Sequence, residues 1–249
     1  MAARGHSGGP GAGPIPLRTV KPTPLLAVLA ALAGCGGSNL PSRTTSAPPR
    51  TAMSNEAGFR ELPASAWRGY RSDSLPAGWQ MVDGALTLVG RGGDIVTREM
   101  FANFELRLEW NISPGGNSGI MYRVIDTSQA TYRSGPEMQV LDDSGHVDGR
   151  SRLTSAGSLY GLIAAPAGVV RRPGQWNEVR LVVNGAHVEH WLNGTKVVEY
   201  ELWSDEWWRL VRASKFIDWP EFGMAREGRI ALQDHGDRVA YRNIRIRSL

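Results

Sequence analysis

WNEVRLVVNGAHVEHWLNGTKVVEY, residues 176–200, holds three short alternating segments punctuated twice by Asn-Gly. Val179 to Val183, Val188 to Leu192 and Lys196 to Tyr200 carry the β-branched and aromatic residues that suit a pleated, half-buried surface. An Asn-Gly pair supplies the two positive φ angles of a type I′ turn. The spacing therefore predicts a three-stranded antiparallel meander turning at Asn184-Gly185 and Asn193-Gly194. His190 shares a face with Val188 and Leu192, so it reads first as an inward, hydrogen-bonded histidine and second as a site residue.

The same pattern extends outward in both directions. Leu86 to Val89 follows an Asp83-Gly84 turn, and Phe104 to Trp110 alternates strictly, with Phe104, Leu106, Leu108 and Trp110 on one face. Ile120, Tyr122 and Val124 alternate with Met121 and Arg123, and two further strands, Arg229 to Asp234 and Arg238 to Arg247, close the chain. Only one stretch reads as helix: Ser204 is a suitable N-cap, Asp205 and Glu206 follow in the first turn, and Arg209 and Arg212 lie nearer the end. Ten or more short strands with one small helical insertion predict an all-β sandwich of two antiparallel sheets.

The ends of the chain differ in composition. Residues 1–53 hold five of the 28 basic residues and none of the 24 acidic ones, so the rest of the chain balances 23 against 24. The formal charge of +4 belongs to this leader and argues for no nucleic-acid partner. Leu25 to Ala33 is an apolar run too short to span a bilayer but suited to a secretory signal, and it runs into Leu32-Ala33-Gly34-Cys35. This resembles a bacterial lipoprotein box. It implies a signal peptide over residues 1–34, lipid attachment at Cys35 and a cell-envelope protein anchored to a membrane, at the periplasmic or outer-membrane face of a Gram-negative bacterium. The Gly- and Pro-rich residues 1–20 make a long n-region, so the true translation start is expected near Val20. Residues 35–53 read as a flexible tether, and residues 54–249 as the folded domain.

The polar residues that a simple core would not choose lie in GGNSGIMYRV (115–124) and GPEMQVLDD (135–143). On a regular strand Glu137 and Gln139 leave one face and Met138 and Val140 the other. Asp142 falls on the opposite face unless a one-residue bulge brings it back beside Glu137 and Gln139. The same alternation also suits a solvated strand face closed by an Asp-Asp-Ser-Gly turn. In the penultimate strand Ile230 and Leu232 take the core side, leaving Gln233 and His235 on the other. Trp203, Trp207, Trp208 and Trp219 cluster around the helical insertion as candidates for a pocket wall, whereas Trp110 and Trp191 read as packing residues. HExxH, GxSxG, paired CxxC and a phosphate-binding glycine loop are all missing from the sequence. The spacing specifies no metal. A divalent ion would have to be held by carboxylates, amides and histidine, with Asp142, Asp143 and His146 as the residues on offer.

Seven segments occur together in one order: GGDIVTREMFANFELRLEW, GGNSGIMYRV, GPEMQVLDD, AGSLYGLI, WNEVRLVVNGAHVEHWLNG, SKFIDWPEFG and GRIALQDHGDRVAYRNIRIRSL. In this they resemble the 3-keto-disaccharide hydrolase family, from about Trp79 to Leu249. The start departs from the family's Phe-Asn-Gly phrase, since Leu62 to Arg68 reads LPASAWR. The resemblance implies a concanavalin A-like jelly roll acting on sugars already oxidised at C3. A 3-keto group acidifies the C2 proton; a base removes it, the enolate expels the C1 substituent, and water completes a net hydrolysis. It implies Glu137 as base, His235 or Lys215 as acid or carbonyl polariser, and Asn117, Arg123, Gln139, Asp142, Tyr160 and Gln233 as contacts to sugar hydroxyls or enolate. Two other readings are open: a noncatalytic lectin-like module, and a conventional glycosidase with paired carboxylates. In jelly-roll glucanases the positions of Gln139 and Asp142 carry Asp and Glu, so that match is partial.

Overall fold

A computed structural model describes residues 57–249. The expected signal peptide, Cys35, the tether and the first residues of the domain lie outside the described residues. In chain order the strands begin with β1 (Arg60–Glu61), β2 (Trp67–Gly69), β3 (Trp79–Val82), β4 (Ala85–Leu88), β5 (Ile95–Thr97), β6 (Phe104–Ile112) and β7 (Asn117–Val124). A single helical turn, α1 (Thr131–Ser134), leads into β8 (Glu137–Leu141). There follow β9 (Asn177–Asn184), β10 (His187–Leu192), β11 (Thr195–Glu201), helix α2 (Asp205–Arg212), β12 (Arg229–Leu232) and β13 (Val239–Ser248).

These strands form two antiparallel sheets, the sandwich expected of a concanavalin A-like jelly roll. The larger runs β11-β10-β9-β6-β13-β4-β3, with β1 also pairing β13; the smaller runs β2-β5-β12-β7-β8. Leu106, Leu108 and Trp110 of the larger sheet and Ile120, Tyr122, Met138 and Val140 of the smaller belong to one buried core. Alternation explains this: in β6 every second residue from Phe104 is buried between the sheets.

The meander of β9, β10 and β11 is present, and its two turns differ. Leu192 pairs Thr195, and Asn193 and Gly194 both have positive φ, as a type I′ turn requires. The first turn is shifted by one residue from the expected Asn184-Gly185. Asn184 pairs His187 and stays in the strand, so Gly185-Ala186 is the loop and only Gly185 takes a positive φ. Glycine first in a two-residue loop is the type II′ pattern. Helix α2 is capped as its sequence implies, with the Ser204 hydroxyl accepting from Trp207 N at 3.1 Å. The single α-helical turn α1 was not anticipated, nor were three short 3-10 turns at Ala64–Ala66, Val147–Arg150 and Lys215–Asp218.

A bulge does occur near the polar strands, but in β7 rather than after β8. Against β12, Met121 pairs Ala231 and Val124 pairs Arg229, so β7 spends one extra residue there, and Arg123 has φ +58°. The extra residue turns Val124 to the side of Met121, where both pack with Val96, Ala231 and Tyr70 on the outer face of the smaller sheet. That face, apolar at this end and polar at the other, carries the cleft described next.

Candidate active site

Seven of the residues expected from sequence converge on one cleft of about 300 Å3: Asn117, Glu137, Gln139, Tyr160, Lys215, Gln233 and His235. The floor is the outer face of β7, β8 and the end of β12. Register places them: Gly119 lies opposite Gln139 and Met121 opposite Glu137. Gln233 extends β12 beside β7 through its N–H to Gly119 O at 3.0 Å. The open edge of β8 is covered by residues 157–160. Gln139 N donates to Ser158 O, Gly157 N to Gln139 O and Tyr160 N to Glu137 O, at 3.1, 2.8 and 3.0 Å. This fixes Tyr160 beside Glu137.

Glu137 is the most perturbed carboxyl facing the cleft. Burial pushes its pKa up to about 8; the charges of Asp94 and Asp148 push the same way, and Lys215 opposes them. The Gln139 amide completes the polar floor. With its nitrogen toward Glu137 it donates to Glu137 Oε1 and to Ser118 O, each at 3.2 Å, and its oxygen accepts at 3.2 Å from the Asn117 amide once that amide is turned to present its nitrogen. The Gln139 side chain thus has a partner at each end.

The opposite wall is aromatic. Tyr200, Trp207, Phe222 and Phe216 stack with nearly parallel rings, the last pair with centroids 4.1 Å apart. Phe216, Phe222, Trp219 and Tyr132 face the cleft at the end of this column. Lys215 Nζ lies 4.6 Å from the Tyr160 ring centroid and 5.7 Å from that of Trp219, which holds its charge over the cleft. The Tyr160 hydroxyl is 3.5 Å from Asp148 Oδ2, and burial, followed by the charges of Asp148 and Glu137, raises its pKa to about 12. It is therefore a proton-bearing donor at neutral pH. His235 is exposed at the rim, edge-on to His146 with ring centroids 6.0 Å apart.

Two predicted site residues are elsewhere. Arg123, sent off the cleft face by the bulge in β7, stacks 4.8 Å from the Trp203 ring and donates to Ala225 O at 3.2 Å and Gly185 O at 2.5 Å. Asp142 closes the turn after β8 instead of joining Glu137. It accepts from Gly115 N at 2.7 Å, and from Ser144 N and the Ser144 hydroxyl at 3.0 and 2.6 Å. Burial alone would raise its pKa, but these bonds outweigh it and hold the carboxyl below the ordinary range. Asp142→Ala is accordingly expected to cost about 1–3 kcal/mol in urea unfolding, from donors left unpaired, with KM unchanged. Of the four tryptophans near α2 only Trp219 lines the cleft; Trp207 is in the stack and Trp203 lies under Arg123 and Arg226.

His190 is the inward histidine its strand face implied. Gly157 O, an acceptor only, lies 3.2 Å from Nδ1, so Nδ1 carries the proton and Nε2 accepts from the Tyr122 hydroxyl at 3.0 Å. Burial pulls its pKa down to about 4, so the ring is neutral.

Asp94 is the residue that sequence reasoning missed. Its carboxyl receives the Thr131 hydroxyl and Asp234 N, burial raises its pKa, and its charge reaches Glu137. The signal was there in Gly92-Gly93-Asp94 and Gln233-Asp234-His235: Asp234 Oδ2 accepts from Gly92 N and Gly93 N, each at 2.8 Å, and so pins one motif to the other. Among the described residues, His, Asp or Glu ligand atoms gather within 4.8 Å of one another at His187, Glu189 and Glu199, on β10 and β11 outside this cleft. Lys196 Nζ already lies 3.5 Å from Glu189 and 2.5 Å from Glu199 there.

Known proteins resemble this chain along most of its described length. Residues 60–247 match the 3-keto-alpha-glucoside-1,2-lyase-like domain. The chain is similar to a 3-keto-disaccharide hydrolase of Bacteroides thetaiotaomicron, 37% identical over 217 residues, covering 74% of this chain and 75% of that one. Among solved structures, it is similar to two proteins of Parabacteroides distasonis described as glycosyl hydrolases. One is 29% identical with a TM-score of 0.72, covering 77% of this chain and 94% of the other. The second is 31% identical with a TM-score of 0.59, covering 74% and 99%.

Proposed function

Because the chain belongs to the 3-keto-alpha-glucoside-1,2-lyase-like domain family, we propose that it cleaves the glycosidic bond of 3-keto-glycosides or 3-keto-disaccharides by elimination followed by hydration. The observation that carries this reading is Glu137, a desolvated carboxyl raised to about 8 and facing a cationic and hydrogen-bonding set across one cleft. A base for carbon acid chemistry works best with a pKa near the working pH. Glu137 takes the C2 proton, and the electron pair moves to the C3 oxygen. Lys215 and the Tyr160 hydroxyl stabilise the enolate charge as it develops. The electron pair then returns to form the C1–C2 double bond, the C1–O bond breaks, and the leaving oxygen takes a proton from His235. Addition of water across C1–C2 restores the 3-keto sugar, giving net hydrolysis. Asn117, Gln139 and Gln233 hold hydroxyls of the reacting ring.

A paired-carboxylate glycosidase finds less support. Gln139 carries no charge, and the carboxylate of Asp142 is occupied in its turn. The deciding experiment follows cleavage of a 3-keto-glucoside beside its unoxidised parent in deuterated buffer. The expected result is cleavage of the keto form alone, with solvent deuterium appearing at C2. Cleavage of the parent at a comparable rate would contradict the reading.

A further inference from the structure

Gly92-Gly93-Asp94, just before β5, and Gln233-Asp234-His235, at the end of β12, hold one another reciprocally. Asp234 Oδ2 accepts from Gly92 N and Gly93 N, and Asp94 Oδ1 accepts from Asp234 N at 2.9 Å. Glycine permits the approach: Gly93 has φ +72°, and a Cβ on Gly92 would come within 3.1 Å of the Trp79 ring. Asp94 Oδ2 takes the Thr131 hydroxyl at the start of α1, and Asp94 O accepts from Tyr70 N at 2.8 Å. One carboxylate thus joins the start of β5, the end of β12 and α1.

What it joins is the wall of the cleft. Gln233 and His235, on either side of Asp234, line the cleft that holds Glu137, and so do Tyr132 of α1 and Gly135 after it. Asp94 is not among the lining residues, so its side chain fixes other groups without meeting a sugar. A neutral acceptor would serve two hydrogen bonds as well. Asp94 instead brings a partly buried carboxyl that, among the described residues, has no ion pair, and burying a charge costs stability. That charge acts on Glu137. After burial, Asp94 is the first of the charges that raise Glu137; Asp148 adds to it and Lys215 opposes it. Tyr160 and Tyr241 also feel Glu137, and Tyr70, Asp234 and His235 face Asp94.

We infer that Asp94 is a positioning residue for the proposed reaction: one carboxylate clamps the Gln233–His235 segment to the turn bearing Tyr132 and holds both at the cleft. This rests on the function proposed above. Clamped, Gln233 and His235 meet the reacting ring from a fixed strand end, and Tyr132 keeps its place in the aromatic wall. The negative charge of Asp94 disfavours a second one at Glu137, so Glu137 holds a proton more firmly and is the stronger base toward C2 of the sugar.

The test compares Asp94→Asn with Asp94→Ala. It follows kcat and KM on methyl 3-keto-glucoside across pH and titrates the Glu137 carboxyl by carbon NMR, with Glu137→Gln to identify its signal. Asparagine keeps an acceptor for Asp234 N and a partner for the Thr131 hydroxyl while removing the charge. In Asp94→Asn the Glu137 midpoint should fall below about 8 in both measurements, with KM unchanged. Asp94→Ala should show the same fall and, with the clamp gone, a further loss of about 10²-fold in kcat, the cost of reacting groups misplaced by about 1 Å. Thr131→Val, which frees α1 and keeps the carboxylate, should also lower kcat, and carries the test of the clamp if Asp94→Ala does not fold. A Glu137 midpoint unmoved in Asp94→Asn, or Asp94→Ala and Thr131→Val as fast as Asp94→Asn and the wild type respectively, would overturn the positioning role and leave the cleavage reaction standing. Failure of the wild type to cleave the keto sugar would overturn the reaction, and the NMR titration would still decide whether Asp94 acts on Glu137.

Discussion

Glu137→Gln is expected to lower kcat on a 3-keto-glycoside by about 10²–10⁴, the usual worth of a positioned general base, with little change in KM. The substitution keeps the shape and the hydrogen bond with the Gln139 amide while removing the proton acceptor. The wild-type pH profile carries a second signature. Burial, Asp94 and Asp148 raise Glu137 while Lys215 opposes them, leaving it at about 8, and a base works in its deprotonated form. The rate should therefore climb with pH and level off above about 8, and the residual activity of Glu137→Gln should lack that rise. A wild-type rate flat between about pH 6 and 9 would contradict Glu137 as the base.

The same group affects stability with the opposite sign. Its folded-state pKa, about 8, lies above the ordinary value of 4.5. Between those values the native state holds a proton that the unfolded chain has released. The contribution of Glu137 to stability is therefore fully present below 4.5 and is lost as pH rises through about 8. The Glu137→Gln variant, which has no carboxyl to ionise there, escapes that loss. At about pH 8 the inactive variant should melt higher than the wild type by at least about 4 °C, since relief on the order of 2 kcal/mol is worth about 2–4 °C per kcal/mol in a domain this size. Near about pH 4 the two should melt together. On the proposed function, activity is obtained at the expense of stability, as is common where a buried ionisable group works.

The sandwich was legible because alternation is a local signal. Phe104 to Trp110 states its inward face in its own residues, and the Asn-Gly pairs state where the chain turns. The clustering of Glu137, Gln139, Lys215, Gln233 and His235 was legible for a different reason, the order of motifs along the chain. What escaped was decided by backbone events that residue types do not announce. The bulge at Arg123 costs no characteristic residue, yet it moves Arg123 out of the site and leaves Val124 on the outer face. Asp142 read equally well as ligand or turn former, and three nearby donors decided the matter. Asp94 acts on Glu137 from a distant part of the chain, which no local pattern reports. The first hairpin slipped by one residue because Asn184 pairs with His187 in the ladder, leaving Gly185-Ala186 to make the turn.

Gly119→Ala is expected to disable the protein nearly as severely as the loss of Glu137, although Gly119 performs no chemistry. Its backbone is ordinary strand, so alanine meets no conformational penalty there; the obstacle is the carboxylate. A Cβ at Gly119 would lie 1.9 Å from Glu137 Oε1 and 2.7 Å from its Cδ, so the side chain of Glu137 must swing away from β7. Displacing a catalytic group by about 1 Å can cost on the order of 10²-fold in rate, because the reacting atoms no longer meet at attack distance. Crowding of this kind costs the fold only about 1–3 kcal/mol, and the domain should remain folded. The double-variant cycle separates this account from general damage. If Gly119 serves only to seat Glu137, alanine should reduce kcat sharply in the wild-type background and have almost no further effect in the Glu137→Gln background. Equal losses in the two backgrounds would show that Gly119 supports the site by some route other than Glu137.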